Sequence, residues 1–246
     1  MDFGVYLQCH KNPYATYKCL ESLRLFYPNC TVVLLSDNGH DYSELAIHFN
    51  CIYIHENENI WLTFRDLDSG NHFDNSYKLI NRIYNSFQLC KEDYVMWLED
   101  DVSINSKITD IFRYDLNGYS PNVLKQIKTI KSSNNIFDFL DENKEYRFTG
   151  HGGSVFNKNN FINYLNNKDI INNILTNWKK YDFPTTLGQD FLFSMIIILN
   201  KGSIGTYIGH YDFPHYLHSQ IIVQHQFKQY YGIEMPEEIK HLVKIT

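Results

Sequence analysis

Alanine, proline and glycine are all scarce here: only Ala15 and Ala46 are alanine, and 246 residues hold six prolines and twelve glycines. No Pro-, Gly- or Ser-rich stretch divides the chain, so one continuous domain spanning 1–246 is expected. The five cysteines, Cys9, Cys19, Cys30, Cys51 and Cys90, form no C-x-x-C pair and are odd in number. That argues against a disulfide framework or a structural zinc site and leaves reduced thiols. A basic excess is missing too: 22 Lys and Arg against 28 Asp and Glu give a net charge of −6, which weighs against a nucleic-acid partner. The longest apolar run, Met195 to Leu199, is far too short to cross a bilayer. The opening MDFGVYLQCH has no basic segment leading into an apolar one, so a soluble cytoplasmic protein is expected. Hydrophobic residues at 43% are ample for a buried core.

The order of the apolar segments is informative. Phe3 to Leu7 reads as a strand, and Asn12-Pro13 as a turn. Tyr14 to Phe26 carries apolar residues at helical spacing (Tyr17, Leu20, Leu23), and Thr31 to Leu35 is a β-branched strand ending in Ser36-Asp37-Asn38-Gly39. A helix over 42–49, a strand over 51–55 and a helix over 76–89 capped by Asn75 follow. The strand Tyr94 to Leu98 then stops at Glu99-Asp100-Asp101. Strands alternating with helices predict an α/β fold with a mostly parallel central sheet and helices on both faces. Ligands bind such sheets beyond the carboxyl ends of the strands, where both acidic turns must lie. Residues 106–144 read as an interrupted helical excursion, 154–156 as a strand, 159–180 as one helix, and Gln189-Asp190 as the start of an apolar helix to Leu199.

Three adjacent carboxylates at the end of a buried strand repel one another and lose hydration, and a divalent cation with oxygen ligands relieves both penalties. Extended geometry puts Glu99 and Asp101 on one side and Asp100 on the other. A solvated acidic loop would show the same letters, and Asp37 alone would suit an ordinary Asx turn. Gly152-Gly153 permits close backbone approach, or simply a turn. Asp190 suits a helix-start charge. Lys78 and Arg82, one helical turn apart, read as solvated surface charge. Trp97 reads as core, while Trp61 and Trp178 offer aromatic faces on which a ligand ring could stack.

The strand with WLEDDV resembles the DXD-type motif of GT-A nucleotide-sugar glycosyltransferases in an ExD variant, and is close to the LEDDV form of lipopolysaccharide-type galactosyltransferases. The first strand, the helix with Ser22-Leu23 and the strand closing on Ser36 to Gly39 resemble the start of many inverting GT-A enzymes. The resemblance implies a GT-A (Rossmann-like) domain with a nucleotide-sugar half over about 1–105 and an acceptor half over about 106–246. It implies that Asp37 contacts base or ribose and that Glu99 and Asp100 approach ribose or donor sugar. Asp101, with Glu99, would hold Mn²⁺ or Mg²⁺ at the diphosphate, while Gly152 and Gly153 shape the sugar pocket and Asp190 is the base of an inverting transfer. A late histidine would complete the metal site; among His210, His215, His218 and His225 the order of choice is His218, His215, His210. A nucleotide-diphosphate sugar, a UDP-sugar first, and a glycan or other hydroxyl acceptor are the implied partners. The glutamine at 189 and the glutamate at 99 depart from the commoner Glu-Asp and Asp-x-Asp patterns. A sugar nucleotidyltransferase fits less well, since the loop Gln8 to Pro13 has no glycine. A degenerate sugar-nucleotide or glycan-binding module is the non-enzymatic alternative.

Overall fold

Along the first strand, β1 (Gly4–Cys9), alternate side chains enter two different cores: Val5 and Leu7 on one side, Tyr6 on the other. The same division runs through β2 (Val32–Asp37) and β4 (Tyr94–Glu99), so helices are needed on both faces of the sheet. The computed structural model describes residues 2–60, 72–120, 122–124, 127–150, 152–178, 188–212 and 221–246.

One face is covered by α1 (Pro13–Phe26) and α2 (Ser43–His48). Pro13 opens α1 at a position where its missing N–H costs nothing. Between β2 and the second of these helices lies the turn that places β3 (Ile52–Glu56) parallel to β2. The opposite face is covered by α3 (His72–Gln88) and later helices. Leu79, Ile80, Ile83 and Phe87 form the buried stripe of α3. The helix begins at His72, ahead of the expected Asn75 cap, and His72 Nε2 lies 3.2 Å from Leu175 O.

β1 pairs in parallel with β2 and with β4, and β2 with β3, so these four strands end at one edge. After the acidic turn the chain makes β5 (Ser103–Ile104), then β6 (Leu116–Asn117) and β7 (Asn122–Val123). The expected helical excursion over 106–144 is mostly not helical. Buried Leu116 and Asn117 join the central sheet, and the described helical segments are α4 (Ile127–Ser133) and a single 3₁₀ turn at Asn135–Phe137. Tertiary pairing of two residues outweighs local periodicity there.

β8 (Arg147–Phe148) pairs with β7, and β9 (Val155–Asn157) inserts antiparallel between β4 and β6. The expected helix over 159–180 is two helices, α5 (Lys158–Leu165) and α6 (Lys168–Asn177). The break falls at Asn167, whose side chain accepts from Ile170 N and caps α6 while its amide donates to Asn200 at 2.7 Å. α7 (Gly188–Leu199) is buried on every side from Phe191 onward and packs beneath the sheet. The chain closes with β10 (Ile204–Gly205), β11 (His210–Asp212) and β12 (Val223–His225).

Among the described residues the central sheet has seven strands in the order β10-β6-β9-β4-β1-β2-β3, and β9 is antiparallel to both its neighbours. No helix among the described residues is long and apolar enough to cross a membrane. All five cysteines are free. Burial pushes the Cys51 thiol up to about 11 and the Cys90 thiol up to about 12, which keeps both protonated near neutral pH.

Candidate active site

Four parallel strands deliver both acidic turns to one edge. In the β1–β4 register Gln8 stands opposite Glu99, and Gln8 Nε2 also donates to Asp37 Oδ2 at 2.9 Å. That side chain spans the space between the two motifs.

Asp37 ends β2 and is 1% exposed. Its Oδ1 accepts from Arg82 Nη1 at 2.7 Å and from Ile60 N at 2.9 Å. Its backbone carbonyl lies 2.8 Å from His10 Nδ1 and accepts from Asn59 Nδ2 at 3.3 Å. Both carboxylate oxygens therefore serve internal partners, and the expected contact with base or ribose is not offered by an exposed oxygen. Arg82 corrects its own expectation: its side chain is 2% exposed, on the buried stripe of α3, and also donates to Glu58 O at 3.0 Å. A buried carboxylate attracts its counter-charge, and a guanidinium can meet that carboxylate and a carbonyl at once. Lys78 behaves as expected, 40% exposed and paired with Glu58 and Asp74.

The strand does not continue through the triplet: β4 ends at Glu99, Val102 N donates to Glu99 O at 3.1 Å, and Asp100 and Asp101 sit in the turn between them. Glu99 and Asp101 face His225, whose Nε2 lies 3.4 Å from Glu99 Oε2 and 3.5 Å from Asp101 Oδ1. Ligand atoms of these three residues all fall within 4.8 Å of one another. Asp101 is 5% exposed, and its Oδ1 accepts no hydrogen bond from the described residues. Burial, opposed by His225 and reinforced by Glu99, pushes the Asp101 carboxyl up to about 6. Lys228 Nζ stands 3.8 Å from Asp101 Oδ2 and is half exposed. Two carboxylates and an imidazole around an unpartnered buried oxygen fit a divalent cation such as Mn²⁺ or Mg²⁺.

Asp100 turns the other way. It accepts from Asn12 Nδ2 at 3.2 Å and from the Tyr231 hydroxyl. Burial, together with the charges of Asp101 and Glu99 and against the donation from Tyr231 and Asn12, pushes its carboxyl up to about 7. Both of its carboxylate oxygens thus have partners inside the protein.

His225 reaches the triplet through strand pairing. β5 follows Asp101 directly, and β12 runs antiparallel to it with Val223 opposite Ile104 and Gln224 opposite Ser103. Gln226, just beyond, has φ 59°, a left-handed turn that brings Lys228 back toward Asp101 while Phe227 N donates to Asp101 O at 2.7 Å. A non-glycine residue held there costs of order 1 kcal/mol, and such strain clusters at functional sites. His225 belongs to the late histidine group but stood behind its three neighbours. His218 and His215 lie outside the described residues, as do His151 and Trp61. His210 is engaged away from the triplet. Tyr119 N donates to its Nδ1 at 2.9 Å, so its Nε2–H points to Gly152 O at 2.9 Å.

The glycine pair is pressed against these histidines. A Cβ on Gly152 would lie 2.2 Å from His225 Cδ2, and one on Gly153, at φ +85°, would lie 2.8 Å from His210 Nε2. Gly153 N donates to Trp97 O at 2.8 Å, which ties the turn to β4. Asp190 sits in the first turn of α7, and its Oδ2 would stand 3.6 Å from a Cβ on Gly150. Trp97 is fully buried as expected, and Trp178 is buried edge-on against Phe191, away from any sugar-stacking role.

No protein-family model matches the chain, and no curated protein matches it. Solved structures do. The galactosyltransferase LgtC, crystallised with donor and acceptor sugar analogues, superposes with a TM-score of 0.53 at 13% identity over 97% of this chain and 99% of LgtC. LgtC with an active-site glutamine replaced gives 0.52 at 12% identity over the same shares. The apo glycosyltransferase GlyE of Streptococcus pneumoniae TIGR4 gives 0.50 at 13% identity over 95% of this chain and 57% of GlyE. The chain is a single α/β domain with the GT-A fold.

Proposed function

We propose that this protein is a metal-dependent glycosyltransferase that moves a sugar from a nucleotide-diphosphate sugar, a UDP-sugar first, to a hydroxyl of a glycan or other acceptor. The observation that carries the reading is the meeting of Glu99, Asp101 and His225 at the carboxyl edge of a GT-A sheet. Those three residues would hold Mn²⁺ or Mg²⁺, with His218 a further candidate. When bound, the cation supplies positive charge where the leaving diphosphate gains negative charge. Lys228, half exposed beside Asp101, adds a second positive charge for the phosphates. Asp37 acts through Arg82 and the backbone of residues 58–60, holding the nucleoside side of the cleft in shape. Gly152 and Gly153 let the backbone approach the donor sugar, and Asp100 supports the site from behind.

Asp190 takes the proton of the acceptor hydroxyl as that oxygen bonds to the anomeric carbon, and attack opposite the diphosphate inverts the centre. LgtC has a glutamine in its active site, and Gln189 beside Asp190 is the candidate for that role here. Residues up to about 105 serve the donor and the remainder the acceptor, although the sheet is continuous across the two halves.

Thermal-shift measurements with UDP, GDP, CDP and their sugar conjugates, with and without Mn²⁺, test the donor reading. One nucleotide should raise the melting temperature only with metal, and Asp101→Ala should abolish the effect. No shift with any nucleotide overturns it. Asp190→Asn should keep that shift while lowering kcat by about 100-fold or more. A product with retained anomeric configuration, read by proton NMR, would remove Asp190 from the role of base and make Gln189→Ala the next variant.

A further inference from the structure

The middle carboxylate of the triplet joins three segments that are distant in sequence. Asn12 belongs to the loop between β1 and α1, Asp100 to the acidic turn, and Tyr231 to the closing segment after β12. That closing segment is secured at its start by pairing with β5 and by Asn105, whose N and Nδ2 donate to Ile222 O and Ile221 O. It is secured near its end by the Asp41–Lys244 bridge. Between them lie Lys228 and the turn at Gln226, the stretch that presents a cation to Asp101. Tyr231 closes this stretch; beyond it Gly232 turns away at φ +69°. Tyr230, its neighbour, packs on Tyr14 and lies under Lys18, which fixes the ring side of the stretch against α1.

We infer that Asp100 and Tyr231 are positioning residues: their hydrogen bond latches the closing segment to the back of the acidic turn, so that His225 and Lys228 stay aimed at the front. The inference rests on the proposed metal site but concerns residues that do not touch the cation. Side-chain direction separates the two roles. Glu99 and Asp101 face the ligand edge, and Asp100, on the reverse side, holds the segment that completes their site. A partly buried hydrogen bond from a phenol to a carboxyl group, closing a contact between distant segments, serves this purpose.

The test uses the whole chain with Tyr231→Phe, Asp100→Ala and Asp100→Asn. Hydrogen exchange over residues 226–232 should accelerate about ten-fold in Tyr231→Phe, the scale of one lost hydrogen bond, with β4 unchanged. Asp100→Ala should match it, and the double variant should add little. Asp100→Asn keeps an accepting oxygen and should fall closer to wild type than Asp100→Ala. Mn²⁺ affinity, read from the free-ion EPR signal, should weaken by about ten-fold in Tyr231→Phe and Asp100→Ala. Wild-type exchange over 226–232 in Tyr231→Phe overturns the latch whatever the cation does. Faster exchange with unchanged Mn²⁺ affinity overturns the positioning role. A wild-type protein that binds no Mn²⁺ overturns the metal reading instead, and the exchange arm still decides the latch.

Discussion

Arg82 reaches two acceptors from the buried face of α3, and its loss would leave Asp37, 1% exposed, without its counter-charge and with only the donors Gln8 Nε2 and Ile60 N. Removing one partner of a buried ion pair costs about 3–5 kcal/mol, far above the fraction of a kcal/mol expected for the exposed Lys78 pairs. Arg82→Met should therefore lower the urea midpoint strongly, whereas Lys78→Met should leave it almost unchanged. A matched small effect for both would show that Asp37 finds another partner. The contrast also explains why the sequence misleads at this helix: both cations share a face by periodicity, but only one points at the carboxylate ending β2.

Within single elements, the glycine turn before β9 separates two kinds of constraint. Gly153 needs its positive φ as well as space, so Gly153→Ala should destabilise the fold by about 1–3 kcal/mol in denaturant melts. Gly152 has no such backbone demand; its Cβ would strike the His225 ring. Gly152→Ala should thus weaken Mn²⁺ binding more than it weakens the fold. Equal loss of stability in the two variants would refute the assignment. The pair is visible in sequence as a tight turn before a strand. That the turn backs onto a histidine from β12 depends on pairing between β5 and β12, which no local pattern reveals.

For the whole molecule, the acidic edge makes stability depend on pH when no cation is present. The Asp100 and Asp101 carboxyls are raised to about 7 and about 6 from a usual 3.8. Between roughly pH 4 and pH 7 the folded protein holds protons that the unfolded chain has released. The stability they confer is complete below about pH 4 and is lost as pH rises through about 6 to 7. In chelator, denaturant melts should show this decline, Asp100→Asn should flatten it, and Mn²⁺ should restore stability at pH 7.5. A flat profile in chelator would mean that both carboxyls ionise freely without metal.

The alternating apolar segments determined the first four strands, their helices and the placing of Asp37 and Glu99 to Asp101 at one edge, because burial on two sheet faces leaves its period in the residues themselves. That Glu99 and Asp101 share a side was decided by the turn closed from Val102 N to Glu99 O, since β4 ends at Glu99. Tertiary structure alone decided that Arg82 is buried against Asp37, that Leu116 and Asn117 enter the central sheet, and that His225, Lys228 and Tyr231 come to the acidic turn. Those contacts join segments far apart in the chain, and their energy lies in charge pairing and strand register, neither of which leaves a periodic trace in either partner.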